Sequence, residues 1–336
     1  MSDFPNSIRL SAPVRITDQV WPEGTGPVVS ICCWTYNQAD FIRDAIESFL
    51  MQETTFSVEI CVHDDASTDG TAEIIREYER NFPKLFRTTM QMENQYSKNR
   101  FAFLFEWIAE QGGEYLALCE GDDYWIGRDN LQKRFEMLTQ NPGSVFCGAR
   151  CFVREEPSMH PYRIEPDLPS SLASKMSTAD YLLGKSFMRM PTRLVRSEAC
   201  SDFFRWSLGK ELGTGDWSMF MFMGWKSSIA GAPMLFIDEP LAVYREQSGG
   251  VWSGTAQSAR DKRSFQDMVW VERLFENHPL HGHFVAVKKT YRERLAQSFD
   301  LPLQERFKFC IDTLICNPLS WRLWICLLSC FKKACK

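Results

Sequence analysis

The chain has 336 residues, of which 44% are apolar, 13% aromatic and 24% charged, a balance that suits a large packed core and excludes a disordered polymer. Its net charge of −5 leaves no basic footprint, so nucleic acid is not an expected partner. Twelve cysteines, several inside apolar runs (Cys32, Cys33, Cys61, Cys119), with no C-x-x-C pair and no basic-then-apolar leader at residues 1–5, are expected as buried thiols of a reducing cytoplasm and exclude a disulfide frame or a zinc knuckle.

Residues 1–27 carry Pro13, Pro22, Gly24 and Gly26 and are expected as a loose lead-in. Residues 28–34 are a continuous β-type apolar run, expected as a buried strand. Phe41, Ile42, Ala45, Ile46, Phe49 and Leu50 recur at helical spacing, so residues 38–51 should pack a helix on that strand. A second strand is expected over 56–62, then a polar loop 63–70, then a helix 71–80. Further on, the spacing predicts a helix over 99–110, a strand over 115–119, a helix near 129–140 and a strand over 144–153. Strands alternating with helices of these lengths imply a mostly parallel twisted sheet flanked by helices. Beyond it, residues 155–170 read as a surface loop, Thr178–Leu183 as a short helix, 217–225 as an apolar helix and 246–262 as a lid. From about 262 to the end the pattern is helical.

Two acidic segments follow buried strands. His63-Asp64-Asp65-Ala66-Ser67-Thr68-Asp69-Gly70-Thr71 offers carboxylates to a base or ribose, and equally reads as an ordinary capped turn. Glu120-Gly121-Asp122-Asp123-Tyr124-Trp125 crowds three carboxylates into a turn that the two rings make half-buried. Mutual repulsion there is relieved by a divalent cation, and oxygen ligands suit Mg²⁺ or Mn²⁺ bridging a diphosphate; the alternative is a solvated acidic turn. On an open α/β sheet, ligands bind at the carboxyl ends of strands, where both segments fall.

The motif order V-V-S-I-C-C-W-T-Y-N-Q at 28–38, H-D-D-A-S-T-D-G-T at 63–71, C-E-G-D-D-Y-W at 119–125, G-D-W at 215–217 and Y-R-E-Q-S-G-G-V-W-S at 244–253 resembles the family-2 inverting glycosyltransferases with the GT-A fold. The E-G-D-D-Y-W form is similar to bacterial enzymes that build surface polysaccharides. The resemblance implies a GT-A domain over 28–255, with a nucleotide-sugar half (28–150) and an acceptor half (151–255), and a helical C-terminal region over 256–336. It implies that Thr35, Tyr36, Asn37 and Asp65, with Asp64 beside them, contact the nucleotide. Asp122 would bind the metal, Glu120 and Asp123 would support metal or donor sugar, and Asp216 would be the catalytic base. Read from the residues alone, Asp216 is equally a helix N-cap. Related enzymes commonly read Y-R-x-H near 244–253; here Gln247 stands in the His position, while Arg245 remains to counter phosphate charge.

The implied activity moves a sugar, from a UDP-sugar or related donor, to a hydroxyl of a lipid-linked or growing surface glycan such as lipopolysaccharide, O-antigen or capsule. A sugar-phosphate nucleotidyltransferase is the alternative, but it needs a Gly-rich basic loop near the N-terminus, and residues 28–38 contain no Gly, Lys or Arg. A non-catalytic nucleotide-sugar-binding protein is the other, and the intact acids oppose it. The stretch Leu319–Phe331, apolar, with Trp321 and Trp324 and flanked by Lys332 and Lys333, is too short to span a bilayer. It is expected as an interfacial helix holding the enzyme at the cytoplasmic face of the inner membrane, or as a helix docked on the domain.

Overall fold

The computed structural model describes residues 8–99, 101–156, 163–173, 176–184, 187–247, 254–298 and 300–316. The strands in chain order are β1 Val14–Arg15, β2 Val29–Thr35, β3 Glu53–Thr54, β4 Val58–Asp64, β5 Phe86–Met90, β6 Tyr115–Glu120, β7 Tyr124–Trp125, β8 Phe146–Glu156, β9 Arg163–Glu165, β10 Leu194–Arg196 and β11 Leu235–Gln247. The chain divides into two compact units, one of residues 1–208 and 223–247, the other of residues 209–222 and 248–336.

The first unit is built on a sheet of order β5-β4-β2-β6-β10-β8-β11-β7, with β9 paired to β8. Its first half is parallel throughout: β4 pairs β5, β2 pairs β4 and β2 pairs β6. These strands are apolar on both faces because helices cover both. Ile31, Cys33, Ile60, Val62, Ala117 and Cys119 line one face and Cys32, Cys61, Leu116 and Leu118 the other, all buried, and the helix Ile42–Leu50 sinks Ile42, Ala45, Ile46 and Phe49 into the core. The second half is mixed. β10 pairs antiparallel with β6 and β8, β11 runs parallel to β8, and β7 returns antiparallel to β11.

Several boundaries differ from the sequence expectation. β4 runs on to Asp64, so His63 and Asp64 are strand residues and the loop begins at Asp65. The helix expected over 99–110 is two pieces, Tyr96–Asn99 and Ala102–Ala109. The expected 155–170 loop contains the end of β8 and the strand β9, held to each other by Cys151↔Glu165 and Val153↔Arg163 pairing. The strand β11 was masked in the sequence by its broken alternation: the register slips on both sides of Pro240, whose missing N–H cannot join the ladder.

The second unit is helical, with Gln257–Leu274, His281–Gln297 and Leu303–Cys316 as its main elements. Phe275 meets Phe284 with ring centroids 4.5 Å apart. Buried Cys310 and Ala296 join the last two helices, and Arg306 donates from Nε to the Ala296 carbonyl at 3.3 Å. The helix Gly215–Ile229 gives its residues up to Phe222 to this unit. Among the described residues no helix is long and apolar enough to cross a membrane. The tail at 319–331 and residues 248–253 of the expected lid lie outside the described residues; of the rest of that stretch, 246–247 end β11 and 257–262 open the helix Gln257–Leu274 rather than a lid.

Candidate functional site

The parallel half of the sheet brings three strand ends together. Thr35 at the end of β2 lies opposite Asp64 of β4, and Trp34 lies opposite Glu120 of β6. The two acidic segments and Thr35–Asn37 therefore share one edge, where loops must turn away from the sheet and backbone groups become available to a ligand.

The loops after β2 and β4 are stitched into one surface. Asn37 and Ala66 sit at positive φ, 51° and 64°. Asn37 donates from its backbone N–H to Ser67 Oγ at 2.8 Å and accepts at Oδ1 from the Thr68 N–H at 2.8 Å. Asp69 accepts from the Ala39 and Thr71 N–H groups at 3.0 and 3.1 Å. Asn37 is thus occupied in holding the loops, whereas Tyr36 is 47% exposed and presents its ring.

The acidic pair divides its work. Both oxygens of Asp65 are taken by backbone amides, Gln95 N–H at 2.7 Å and Tyr96 N–H at 3.0 Å, so Asp65 closes the segment leading into helix Tyr96–Asn99. Asp64 accepts from the Ser67 N–H at 3.0 Å through Oδ2, while its buried Oδ1 has no protein partner. His63 packs against Phe103 and Trp107 with centroids 5.3 Å away, and burial holds its imidazole below the usual histidine range.

The turn after β6 is tighter. Gly121 donates to the Trp34 carbonyl at 2.9 Å. A Cβ at this position would lie 2.7 Å from Gln38 Oε1 and 2.8 Å from Thr35 Cβ, so only glycine lets β6 turn here. Thr35 Oγ1 donates to Gln38 Oε1 at 2.7 Å, orienting the amide so that it hydrogen-bonds the Asp122 carboxylate. On the other side Gln247 Nε2 donates to Asp122 Oδ2 at 2.7 Å. Two neutral amides therefore bracket Asp122.

Asp123 is fully buried. Its Oδ1 accepts the Arg245 backbone N–H at 2.8 Å and its Oδ2 has no partner. Burial, followed by the charges of Asp122 and then Glu120, holds its carboxyl well above the ordinary range. Burial likewise raises Asp122, against its own backbone amide, the Arg245 charge and the two glutamine amides, which lower it. Neighbouring carboxylates that both resist ionisation are an electrostatic demand for positive charge.

Arg245 supplies part of it and is already engaged. It is buried, donates from Nη1 to the Asp122 carbonyl at 2.8 Å and from Nη2 to Asp44, and lies 3.5 Å from Glu156 through Nε. Its guanidinium sits 4.6 Å from the Tyr124 ring centroid and 5.1 Å from that of Phe41. Glu120 ends β6, and its carbonyl accepts the Asp123 N–H at 3.1 Å. Among the described residues no three His, Cys, Asp or Glu side chains form a group that could enclose a metal.

Asp216 lies in the second unit, half-buried in the first turn of helix Gly215–Ile229, where its Oδ1 accepts the Trp217 N–H at 2.7 Å. Two contributors gave little signal in the sequence. Gln38 sits inside the first motif but has no chemistry of its own there. Asp44, the ion-pair partner of Arg245, reads as an ordinary exposed helix acid.

A family model described as Glycosyl transferase family 2 matches residues 30–203. An uncharacterised protein of Mycobacterium tuberculosis is 30% identical over 244 residues, covering 70% of this chain and 63% of the relative, so the chain spans less than two thirds of that relative's length. A putative teichuronic acid biosynthesis glycosyltransferase of Bacillus subtilis, TuaG, is 30% identical over 114 residues, covering 34% of this chain and 43% of the relative. Among solved structures, residues 1–349 of Staphylococcus aureus TarS in complex with UDP-GlcNAc align with a TM-score of 0.60 and 16% identity, over 85% of this chain and 80% of that one. The fold is that of the GT-A glycosyltransferases, and the chain belongs to glycosyl transferase family 2.

Proposed function

We propose that the chain is an inverting glycosyltransferase that moves a sugar from a nucleotide-diphospho-sugar, a UDP-sugar in our reading, to an acceptor hydroxyl of a surface glycan. The observation that carries this is the pair of raised carboxylates, Asp122 and Asp123, at the same sheet edge as the unpartnered oxygen of Asp64. That edge joins a nucleoside-binding surface to a place that calls for positive charge, which is what a metal-bound nucleoside diphosphate brings. The TarS neighbour, seen with UDP-GlcNAc, supports a UDP-sugar donor, and the name of TuaG supports a cell-surface polysaccharide acceptor.

The residues present fit a divalent cation of the Mg²⁺ or Mn²⁺ type. Asp122 would hold it and Asp123 would support it, both being oxygen donors whose surroundings leave them short of positive charge. When bound, such an ion stabilises negative charge on the departing diphosphate.

Each residue then has a task. Tyr36 stacks on the base, and Asp64 accepts from base or ribose. Thr35, Asn37 and Asp65 shape that surface from beneath. Glu120 extends toward the donor sugar. Arg245 acts on the donor through the Asp122–Asp123 turn that it holds, and the two glutamines fix the orientation of Asp122. Asp216 takes the proton of the acceptor hydroxyl as its oxygen forms a bond to the anomeric carbon. The bond from that carbon to the diphosphate oxygen breaks in the same displacement, which inverts the centre and releases the nucleoside diphosphate.

The tail around 319–331 is proposed to hold the enzyme at the cytoplasmic face of the inner membrane, near a lipid-linked acceptor. Removing residues 318–336 should shift the protein from membrane to soluble fractions, and an unchanged distribution would count against it. Donor binding is tested by titrating the full chain with UDP, with and without Mn²⁺. Mn²⁺ should tighten UDP at least about tenfold, a loss of about 1.4 kcal/mol being the least expected when Asp122→Asn removes the ligand. UDP affinity that ignores both metal and Asp122 would defeat the assignment.

A further inference from the structure

The residue read as the base sits in a turn that another element holds shut. Asp267 lies in the middle of helix Gln257–Leu274 and is fully buried. Its Oδ1 accepts the Gly213 N–H at 2.7 Å and the Ser218 hydroxyl at 2.8 Å. Its Oδ2 accepts the Thr214 N–H at 2.9 Å and the Thr214 hydroxyl. Four donors on one carboxylate saturate both oxygens. They come from residues on either side of Asp216, so the first turn of its helix is pinned before and after it. All of these residues belong to the second unit.

The approach is close by design of the sequence. A Cβ on Gly213 would fall 1.9 Å from the Arg263 carbonyl oxygen, so glycine is required for residues 213–214 to reach the Asp267 helix. A carboxylate at a helix N-terminus also meets the positive end of the helix dipole and satisfies N–H groups that the helix itself leaves open. The arrangement is costly, since burial alone would strip solvent from the carboxylate, and hydrogen bonds to Gly213, Thr214 and Ser218 offset only part of that. A surface cap would hold the helix end at less cost, and would leave the turn free to shift. A buried four-donor clamp fixes where residue 216 stands.

We propose that Asp267 is a positioning residue for Asp216: it sets the first turn of the Gly215–Ile229 helix so that the Asp216 carboxylate meets the acceptor hydroxyl in a reactive geometry. This rests on reading Asp216 as the base. Misplacing a catalytic group by an ångström costs rate without changing how the donor binds.

The experiment compares full-length wild type with Asp267→Asn, Ser218→Ala and Asp216→Asn at pH 8 in Mn²⁺, measuring UDP release from a panel of UDP-sugars with water as acceptor, and UDP affinity separately. Asp267→Asn should lower kcat at least about tenfold with donor KM and UDP affinity within twofold of wild type. Ser218→Ala, a milder change that keeps the carboxylate, should lower kcat several-fold with the same split, and it carries the test if Asp267→Asn does not fold. Unchanged kcat in both variants, or a kcat loss matched by lost UDP affinity, overturns the proposal. If Asp216→Asn turns over normally, the base assignment falls and the positioning role falls with it. If Asp216→Asn is inactive while Asp267→Asn is normal, the positioning role alone is overturned.

Discussion

At the scale of single residues, the site is an exercise in holding a carboxylate charged where burial opposes it. Asp122 is kept by two amides and one guanidinium. The position commonly filled by His in related enzymes is Gln247, whose amide donates but is a poor metal ligand. Gln247→Ala should therefore leave divalent-dependent UDP binding in place but weaken it by about 1.5–3 kcal/mol, the worth of one hydrogen bond to a charged group. A complete loss of metal dependence in that variant would instead make Gln247 an essential part of the cation site. Gly121→Ala tests the same turn from the backbone side. Its new methyl meets Gln38 and Thr35 at 2.7 and 2.8 Å, so the turn must open. The expected cost is about 1–3 kcal/mol in thermal stability together with weaker Mn²⁺-dependent UDP binding, checked by melting and titration. A variant with normal melting and normal UDP binding would show that the Gly121–Gln38 contact gives way freely.

At the scale of elements, adjacent acids in one motif do different work because one ends a strand and the other begins a loop. Asp65 ties two backbone amides of a segment about thirty residues downstream, whereas Asp64 keeps an unpartnered oxygen. Asp65→Ala should cost about 1–2 kcal/mol of stability, as the loss of a helix cap does, while Asp64→Asn should melt near wild type and lose UDP affinity. The reverse pattern would exchange their roles. This division was not legible in the sequence, where Asp64 and Asp65 are adjacent residues of the same type and Asp65 was expected to contact the nucleotide. What was legible follows from physics that is local: the apolar runs of β2, β4 and β6 and the helical spacing of 41–50 report burial directly, and the strand-end position of the acids follows from them. The contribution of β11 was hidden for the opposite reason. Its pairing partners lie about a hundred residues away, its alternation is broken at Pro240, and the motif Y-R-E-Q gave residue types without showing that the Arg245 backbone closes on Asp123. The clamp of Gly213–Thr214 by Asp267 is equally non-local and left no spacing to read.

At the scale of the whole molecule, the half-buried Asp122 and the buried Asp123 and Asp267 tie stability to pH. Asp122 and Asp123 are raised, and Asp267 is raised to about 7, in each case with burial as the leading cause. A carboxyl whose folded-state affinity for protons exceeds its unfolded value binds more protons in the native state. Stability then falls as pH rises from the ordinary carboxylate range through the raised values. Over pH 5.5 to 8 these carboxyls lower the melting temperature of the metal-free protein, against the opposite contribution of His63, whose depressed imidazole adds stability as pH rises. Asp267→Asn should flatten that slope, and Mn²⁺ with UDP should flatten it independently by relieving Asp122 and Asp123. A melting temperature that rises steadily over the same interval, unaffected by either change, would contradict the burial argument for all three.

The central claim is that this member of glycosyl transferase family 2 transfers sugar from a nucleotide donor with Asp216 as base. The measurement that bears on it most directly is UDP release from a panel of UDP-sugars in Mn²⁺ by the full chain and by Asp216→Asn, with UDP binding followed in parallel. Slow but metal-dependent release from at least one donor, reduced by about a hundredfold or more in Asp216→Asn while UDP binds as before, is the result predicted for loss of a general base. No release from any donor alongside no UDP binding, or undiminished release by Asp216→Asn, would contradict it.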